Sequence, residues 1–160
     1  MTDTAAPSAT GTVQINAAPD AVYRLITDLS VLADCAEENV GMDWRTGDSA
    51  RPGAVFVGHN RHGGRRWSTT CTVTDADPGK VFAFDVRSAV IPVARWEYRI
   101  TSNPGGQGGC QVTEIMWDRR PRWFVGIAGL VTGVKDRPTV NTEHIRITLE
   151  RVKQRAENGG

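Results

Sequence analysis

The chain lacks most of the features that would declare a function outright. Its three cysteines, Cys35, Cys71 and Cys110, are odd in number and none stands in a C-x-x-C pair. Neither a disulfide framework nor a thiolate metal knuckle is written into it. No apolar run reaches the roughly 18 residues that a membrane-spanning helix requires, so stable membrane insertion is not expected. Charge of one sign is missing too: 19 Lys and Arg face 18 Asp and Glu, a formal net charge of +1. The arginines alternate with acids instead of forming a run, which leaves no field to hold nucleic acid. There is no G-x-S-x-G elbow and no Ser-His-Asp order, so acyl-transfer hydrolysis has no support. His59 and His62 are spaced like metal ligands, but strand positions three apart point to opposite faces, and no third ligand lies nearby. No metal and no cofactor are expected. The first ten residues are small and polar, without a secretory segment. Together with the unpaired thiols, this predicts a reduced, cytoplasmic protein.

What is present is a long β pattern over residues 56–100. Phe56, Gly58 and Asn60 share one parity; Trp67, Thr69, Cys71 and Val73 share the next. Phe82, Phe84 and Val86 follow, then Trp96, Tyr98 and Ile100. Short turns at His62-Gly63-Gly64-Arg65 and Asp77-Pro78-Gly79-Lys80 fix the register and stack these residues on one sheet face. The other face carries Arg66, Ser68, Thr70, Thr72, Asp85, Arg87, Arg95, Glu97 and Arg99 and is predicted to be wet. An antiparallel sheet with one aromatic face needs something to cover that face.

The rest of the chain supplies the cover. A leader (residues 1–10) is predicted to be disordered, and a short strand follows at 12–16. Ala18-Pro19-Asp20 opens a helix with Pro near the first turn and Asp against the dipole. A second short helix is predicted over 28–34 and a strand over 39–45. The glycine-rich stretch 102–109 leads into a strand, not a helix, so it reads as a hairpin loop and not a phosphate cradle. The last strand, 110–117, is ambiguous. If Val112 and Met116 face inward, Glu114 does too; if Ile115 and Trp117 do, Glu114 is a surface acid. Residues 123–134 are apolar, follow Arg119, Arg120 and Arg122, and include Gly126, Gly129 and Gly133. This segment could lid a cavity, pack plainly, or dock on a partner or membrane surface; a lid or plain packing is favoured. A final helix from Asp136 to about Ala156 carries the stripe Val140, Ile145, Leu149, Val152. The expectation is one α+β domain over residues 11–156 with a tail at 157–160.

Several motifs resemble a known superfamily. They are Ile15-Asn16-Ala17-Ala18-Pro19-Asp20-Ala21-Val22-Tyr23 with Asp28, residues 53–56, and Arg65-Arg66-Trp67-Ser68-Thr69. Asp77-Pro78-Gly79-Lys80-Val81-Phe82-Ala83-Phe84, Trp96-Glu97-Tyr98, Gly109 with Val112-Thr113-Glu114, and Asn141 with Thr148-Leu149-Glu150-Arg151-Val152-Lys153 complete the set. Together they look like the START and birch-pollen-allergen (SRPBCC) superfamily, in its polyketide cyclase/dehydrase-like branch. That resemblance implies the helix-grip fold. In it a seven-stranded curved antiparallel sheet wraps a long C-terminal helix, with two short helices after the first strand. It also implies an internal cavity for a hydrophobic or aromatic guest. Some relatives cyclise or dehydrate polyketides and many only bind; no shared catalytic triad exists to carry over. Where relatives often show a Trp-x-Pro segment, this chain reads Asp34-Cys35-Ala36.

The candidate ligand-binding residues are therefore Phe56, Asn60, Trp67, Thr69, Cys71, Phe84, Val86, Trp96 and Tyr98 from the sheet, and Asn141, Ile145 and Leu149 from the last helix. Glu114, Tyr98 and His144 are the candidates for proton transfer, because a carboxyl buried in an apolar cavity has its pKa raised toward neutrality. The first expectation is a monomer or homodimer that binds a small hydrophobic, lipid- or polyketide-like molecule. A polyketide aromatase/cyclase is the alternative, and a protein-interaction domain without a pocket the third.

Overall fold

A computed structural model describes residues 4–106, 108–134 and 136–159. In chain order the elements are β1 (Ala9–Ile15), α1 (Pro19–Thr27), α2 (Leu29–Cys35), β2 (Asn39–Thr46), β3 (Val55–His62), β4 (Arg65–Asp77), β5 (Val81–Ser88), β6 (Ile91–Ser102), β7 (Cys110–Asp118), α3 (Arg122–Thr132) and α4 (Arg137–Asn158). The strands form one sheet in the order β1-β7-β6-β5-β4-β3-β2, antiparallel at every pairing. This is the α+β helix-grip architecture.

The register aligns the parities read from the sequence. Phe56 lies opposite Cys71, Cys71 opposite Val86, and Val86 opposite Ala94. The next row is Val73, Phe84, Trp96 and Met116. The third is Phe82, Tyr98, Glu114 and Gly11. Register shifts at Val73/Asp75 and Val86/Arg87 are the irregularities that bend a sheet.

The helix starts follow local chemistry. Pro19 opens α1 and Asp20 sits in its first turn, with no side-chain cap from Ala18. Asp28 ends α1 and caps α2, its Oδ1 accepting from the N–H groups of Ser30 at 3.0 Å and Val31 at 3.3 Å. Asp136 caps α4 by accepting from the Thr139 N–H.

Three sequence expectations shift. The later part of the predicted leader is part of the fold: β1 begins at Ala9, and Ala9 is buried. Ser8 N–H donates to the Met116 carbonyl, and the Trp117 indole N–H donates to the Ala5 carbonyl at 2.8 Å. Residues 1–3 of that leader lie outside the described residues. At the other end α4 runs through Asn158, into the predicted tail, whose last residue, 160, is also outside them. The outer sheet face is not wet throughout. Arg95 and Glu97 are only 6% and 4% exposed. Arg95 bonds Glu97 at 3.1 Å, Asp75 at 3.0 Å and Thr74 at 2.7 Å, and its guanidinium lies over the Trp117 ring. Pairing lets these charges stay out of water.

The long helix is pressed onto one edge of the sheet. A Cβ on Gly11 would lie 2.7 Å from Ile145 Cγ2 and 3.4 Å from Leu149 Cδ1, so only glycine allows this approach. Beyond it, Lys153 Nζ donates to the Gln14 carbonyl at 2.7 Å, and Glu157 accepts the Asn16 N–H at 2.8 Å. Gly11→Val should therefore overpack the contact and lower stability by about 1–3 kcal/mol, read as a lower denaturant midpoint. An unchanged midpoint would mean that the helix does not depend on this contact.

Candidate functional site: an internal cavity

The first turns of α4 roof a cavity of about 300 Å³ over the inner sheet face, with α2 and α3 at its sides. That volume is at the low end for small-molecule sites. The sheet contributes Phe56, Asn60, Trp67, Thr69, Cys71, Phe84, Val86, Trp96 and Tyr98 to its lining, and α4 contributes Asn141, His144 and Ile145. Leu149 does not line it. One turn further along, α4 has already come down onto β1, and Leu149 is buried against Gly11.

The wall is an aromatic ladder. Trp44 meets Phe56 edge-on at 5.5 Å, and Phe56 meets Phe84 at 5.1 Å. Trp67, Thr69 and Trp96 keep partial exposure, while Phe56 and Phe82 are sealed. Cys71 is a free thiol pushed up to about 12 by burial, so it behaves as a small apolar residue. Asn60 satisfies its amide locally, donating to the Gly58 carbonyl and to Thr69 Oγ1 and accepting from Asn39.

A charged cluster and a buried acid stand out from this wall. In the cluster, Arg137 holds both oxygens of Glu38, at 2.8 and 3.0 Å, and lies over the Trp67 ring. His62 is 3.5 Å from the same carboxylate. His144 is half-buried; burial lowers its pKa against the pull of the nearby Glu38 and Glu37 carboxylates. The acid is Glu114. It sits directly across from Tyr98, whose hydroxyl donates to Glu114 Oε1 at 2.7 Å. Glu114 is 2% exposed, and its Oε2 has no hydrogen-bond partner among the described residues. Burial raises Glu114 to about 8, with the Tyr98 hydrogen bond opposing. Burial first, and the Glu114 charge second, hold the Tyr98 phenol well above its ordinary value. At neutral pH the carboxyl is mostly protonated, able to donate or exchange a proton in a dry setting.

The inward set of β7 is therefore Val112, Glu114 and Met116. Periodicity could not select it because Ile115 and Trp117 on the opposite face are buried as well, beside the N-terminal segment. Sequence reasoning also missed Glu38 and Arg137, 99 positions apart, for which no local signal exists. It favoured residues 123–134 as a lid or plain packing but did not single out Phe124, Ala128 and Thr132, which close one side. The histidines singled out for spacing are engaged separately: His59 with Ser68 and Asp43, His62 with Glu38. Among the described residues no group of three or more His, Cys, Asp or Glu could hold a metal ion, and no helix is long and apolar enough to cross a membrane.

Sheet, gripped helix and the aromatic-lined cavity between them together define a helix-grip protein of the SRPBCC type. The chain belongs to the polyketide cyclase/dehydrase and lipid transport family, whose pattern matches residues 6–157. No curated protein matches it. Among solved structures it is similar to the di-domain ARO/CYC protein StfQ of the steffimycin biosynthetic pathway, with a TM-score of 0.71 at 12% identity. That match covers 94% of this chain and 50% of StfQ, so the chain spans half the length of that protein. It is also similar to a major latex-like protein of Panax ginseng, with a TM-score of 0.67 at 14% identity, covering 92% of this chain and 95% of the other. A Polyketide_cyc-like protein of Corynebacterium glutamicum gives a TM-score of 0.59 at 22% identity, covering 91% and 88%. At such identities these likenesses establish the fold alone.

Glu114 also links stability to pH. The folded chain keeps its proton up to about pH 8, while the unfolded chain releases it near the ordinary value of 4.5. Between these values the folded state binds more protons, so stability falls as pH rises. This contribution is whole below 4.5 and lost once pH passes about 8. Glu114→Gln should remove that slope, seen as denaturant midpoints that no longer decline across the window. Equal slopes in both proteins would show Glu114 ionising as an ordinary glutamate.

Proposed function

We propose that the cavity binds a small, flat, hydrophobic molecule that carries a carbonyl oxygen, lipid- or polyketide-like in character. The observation that supports this reading is an aromatic-lined cavity of about 300 Å³ whose buried Glu114 carboxyl has no partner for Oε2 among the described residues. The aromatic wall accepts a planar guest by stacking. Tyr98 occupies Oε1 of Glu114, so the acid proton lies on Oε2 and seeks an acceptor. An unmet buried polar atom costs about 1–3 kcal/mol, and a ligand oxygen would relieve that cost. Such a void argues against an interaction domain with a solid interior.

The test uses a matched pair, acetylnaphthalene and ethylnaphthalene, with binding followed by quenching of tryptophan emission. The ketone should bind about threefold to tenfold more tightly, the worth of one hydrogen bond. Glu114→Gln, which keeps a donor, should retain the preference; Glu114→Leu should abolish it. The preference should fade above about pH 8 as the acid ionises. Failure of both probes to bind would overturn the cavity reading. Equal binding of both would overturn the carbonyl. Native mass spectrometry of freshly purified protein would identify a co-purified guest directly.

A second reading, catalysis of aldol closure and dehydration on a poly-ketone, is supported by one observation. Two proton-bearing groups, Glu114 and Tyr98, converge in the same cavity that His144 lines from α4. Under that reading Glu114→Gln loses about 100-fold or more in turnover, the scale of acid–base catalysis, and leaves binding intact.

A further inference from the structure

We infer that the outer face of α3 is a docking surface for an anionic lipid bilayer. Seven large apolar side chains are exposed among the described residues, and five of them stand on this one helix: Trp123, Val125, Ile127, Leu130 and Val131. Trp123 is 63% and Leu130 76% exposed. At about 100° per residue, Trp123, Ile127 and Leu130 share one side of α3, Val125 lies nearly opposite, and Val131 also lines the cavity. Single exposed apolar side chains are ordinary; three on one side of a short helix mark an interaction site.

Charge identifies the occupant. α3 itself carries no acid. Arg119 and Arg122 stand exposed at its N-terminal end. At the other end the exposed Arg65 lies against Gly133, where an added Cβ would fall 2.6 Å from its Nη1. The sole acid between residues 119 and 137, Asp136, is engaged as the cap of α4. An apolar helix face with Trp and Leu, flanked by arginines, suits the boundary between acyl chains and anionic headgroups. A second copy of this chain suits it less. Both ends of α3 are basic, so either orientation of a paired helix sets arginines against arginines.

The position of α3 gives the docking a purpose. Its inner side, through Phe124, Ala128 and Thr132, closes the cavity. Gly126 and Gly129 in its interior each weaken the helix by about 1 kcal/mol relative to alanine. A helix that is both wall and membrane face can part at the bilayer, so an apolar guest enters without crossing water.

The experiment is flotation of the full chain with vesicles of phosphatidylcholine alone and of phosphatidylcholine mixed equally with phosphatidylglycerol. The wild-type chain should float with the mixed vesicles, much less with the neutral ones, and less as salt rises. Leu130→Glu and Trp123→Glu should each weaken binding at least about tenfold. They should leave the melting temperature and acetylnaphthalene binding unchanged, because neither residue lines the cavity. Arg119→Glu with Arg122→Glu should erase the preference for anionic lipid. The emission of Trp123, taken as the difference between wild type and Trp123→Phe, should shift to the blue on vesicle addition. Three outcomes would each overturn the inference: wild type that stays with the unbound fraction, variants that float as well as wild type, or a dimer in light scattering that Leu130→Glu dissociates while vesicles remain unbound.

Discussion

The contact between α4 and β1 at Gly11 governs the rest of the structure. A long amphipathic helix laid across a curved sheet cannot touch all of it. This one is drawn down at one edge, where a missing Cβ lets Ile145 and Leu149 approach the β1 backbone. Polar ties to Gln14, Asn16 and Asp34 secure its later turns. Because the helix is rigid, close seating at β1 leaves its first turns standing over β3 to β6. The void beneath them is a geometric consequence of that seating, and the void sets the chemistry inside.

Glu114 illustrates the consequence. On a strand exposed to water its neighbour Tyr98 would matter little. In the seam between helix and sheet both groups lose solvent, and each becomes the other's main polar partner. The carboxyl then favours its neutral form near physiological pH. Arg95 and Glu97, on the opposite face of β6, are nearly as buried, and there each lies within salt-bridge distance of the other. The difference is one of composition. The outer face sets several charges of both signs within reach of one another, whereas the hydrogen bond to Glu114 comes from a neutral phenol.

The cavity is also asymmetric in how it is bounded. Strands and α4 form walls held by backbone ladders and buried side chains. The α3 side is a glycine-bearing helix with most of its apolar surface outside. A guest bound as proposed must be enclosed and must also enter, and such a division allows both. The charged cluster that includes Glu38 and Arg137 ties the loop after α2 to the first turn of α4. Those two elements are thereby anchored, and among the described residues no such tie reaches α3.

Much of this was legible in the sequence. Alternation over residues 56–100 with short turns set the face of every strand from β3 to β6, because a two-residue period and a fixed turn leave no freedom of register. Helical spacing located α1 and α4, and the break at Asp28 marked the start of α2. The inward row, from Phe56 through Trp96 to Tyr98, followed from parity alone. Local pattern failed where burial came from elsewhere in the chain. It could not orient β7, since residues 5–8 lie against one side as α4 covers the other. It placed Leu149 in the cavity, since a helical stripe records which side is apolar and not how far each turn stands from the sheet. The strand faces of β3 to β6 and the spans of α1, α2 and α4 are local properties, decided by steric period and hydrogen bonding within a few residues, and the sequence determined them. The depth of the hollow, the proton on Glu114 and the meeting of Glu38 with Arg137 depend on distances between segments far apart in the chain. Only the packed tertiary structure, which removes water and sets those distances, decided them.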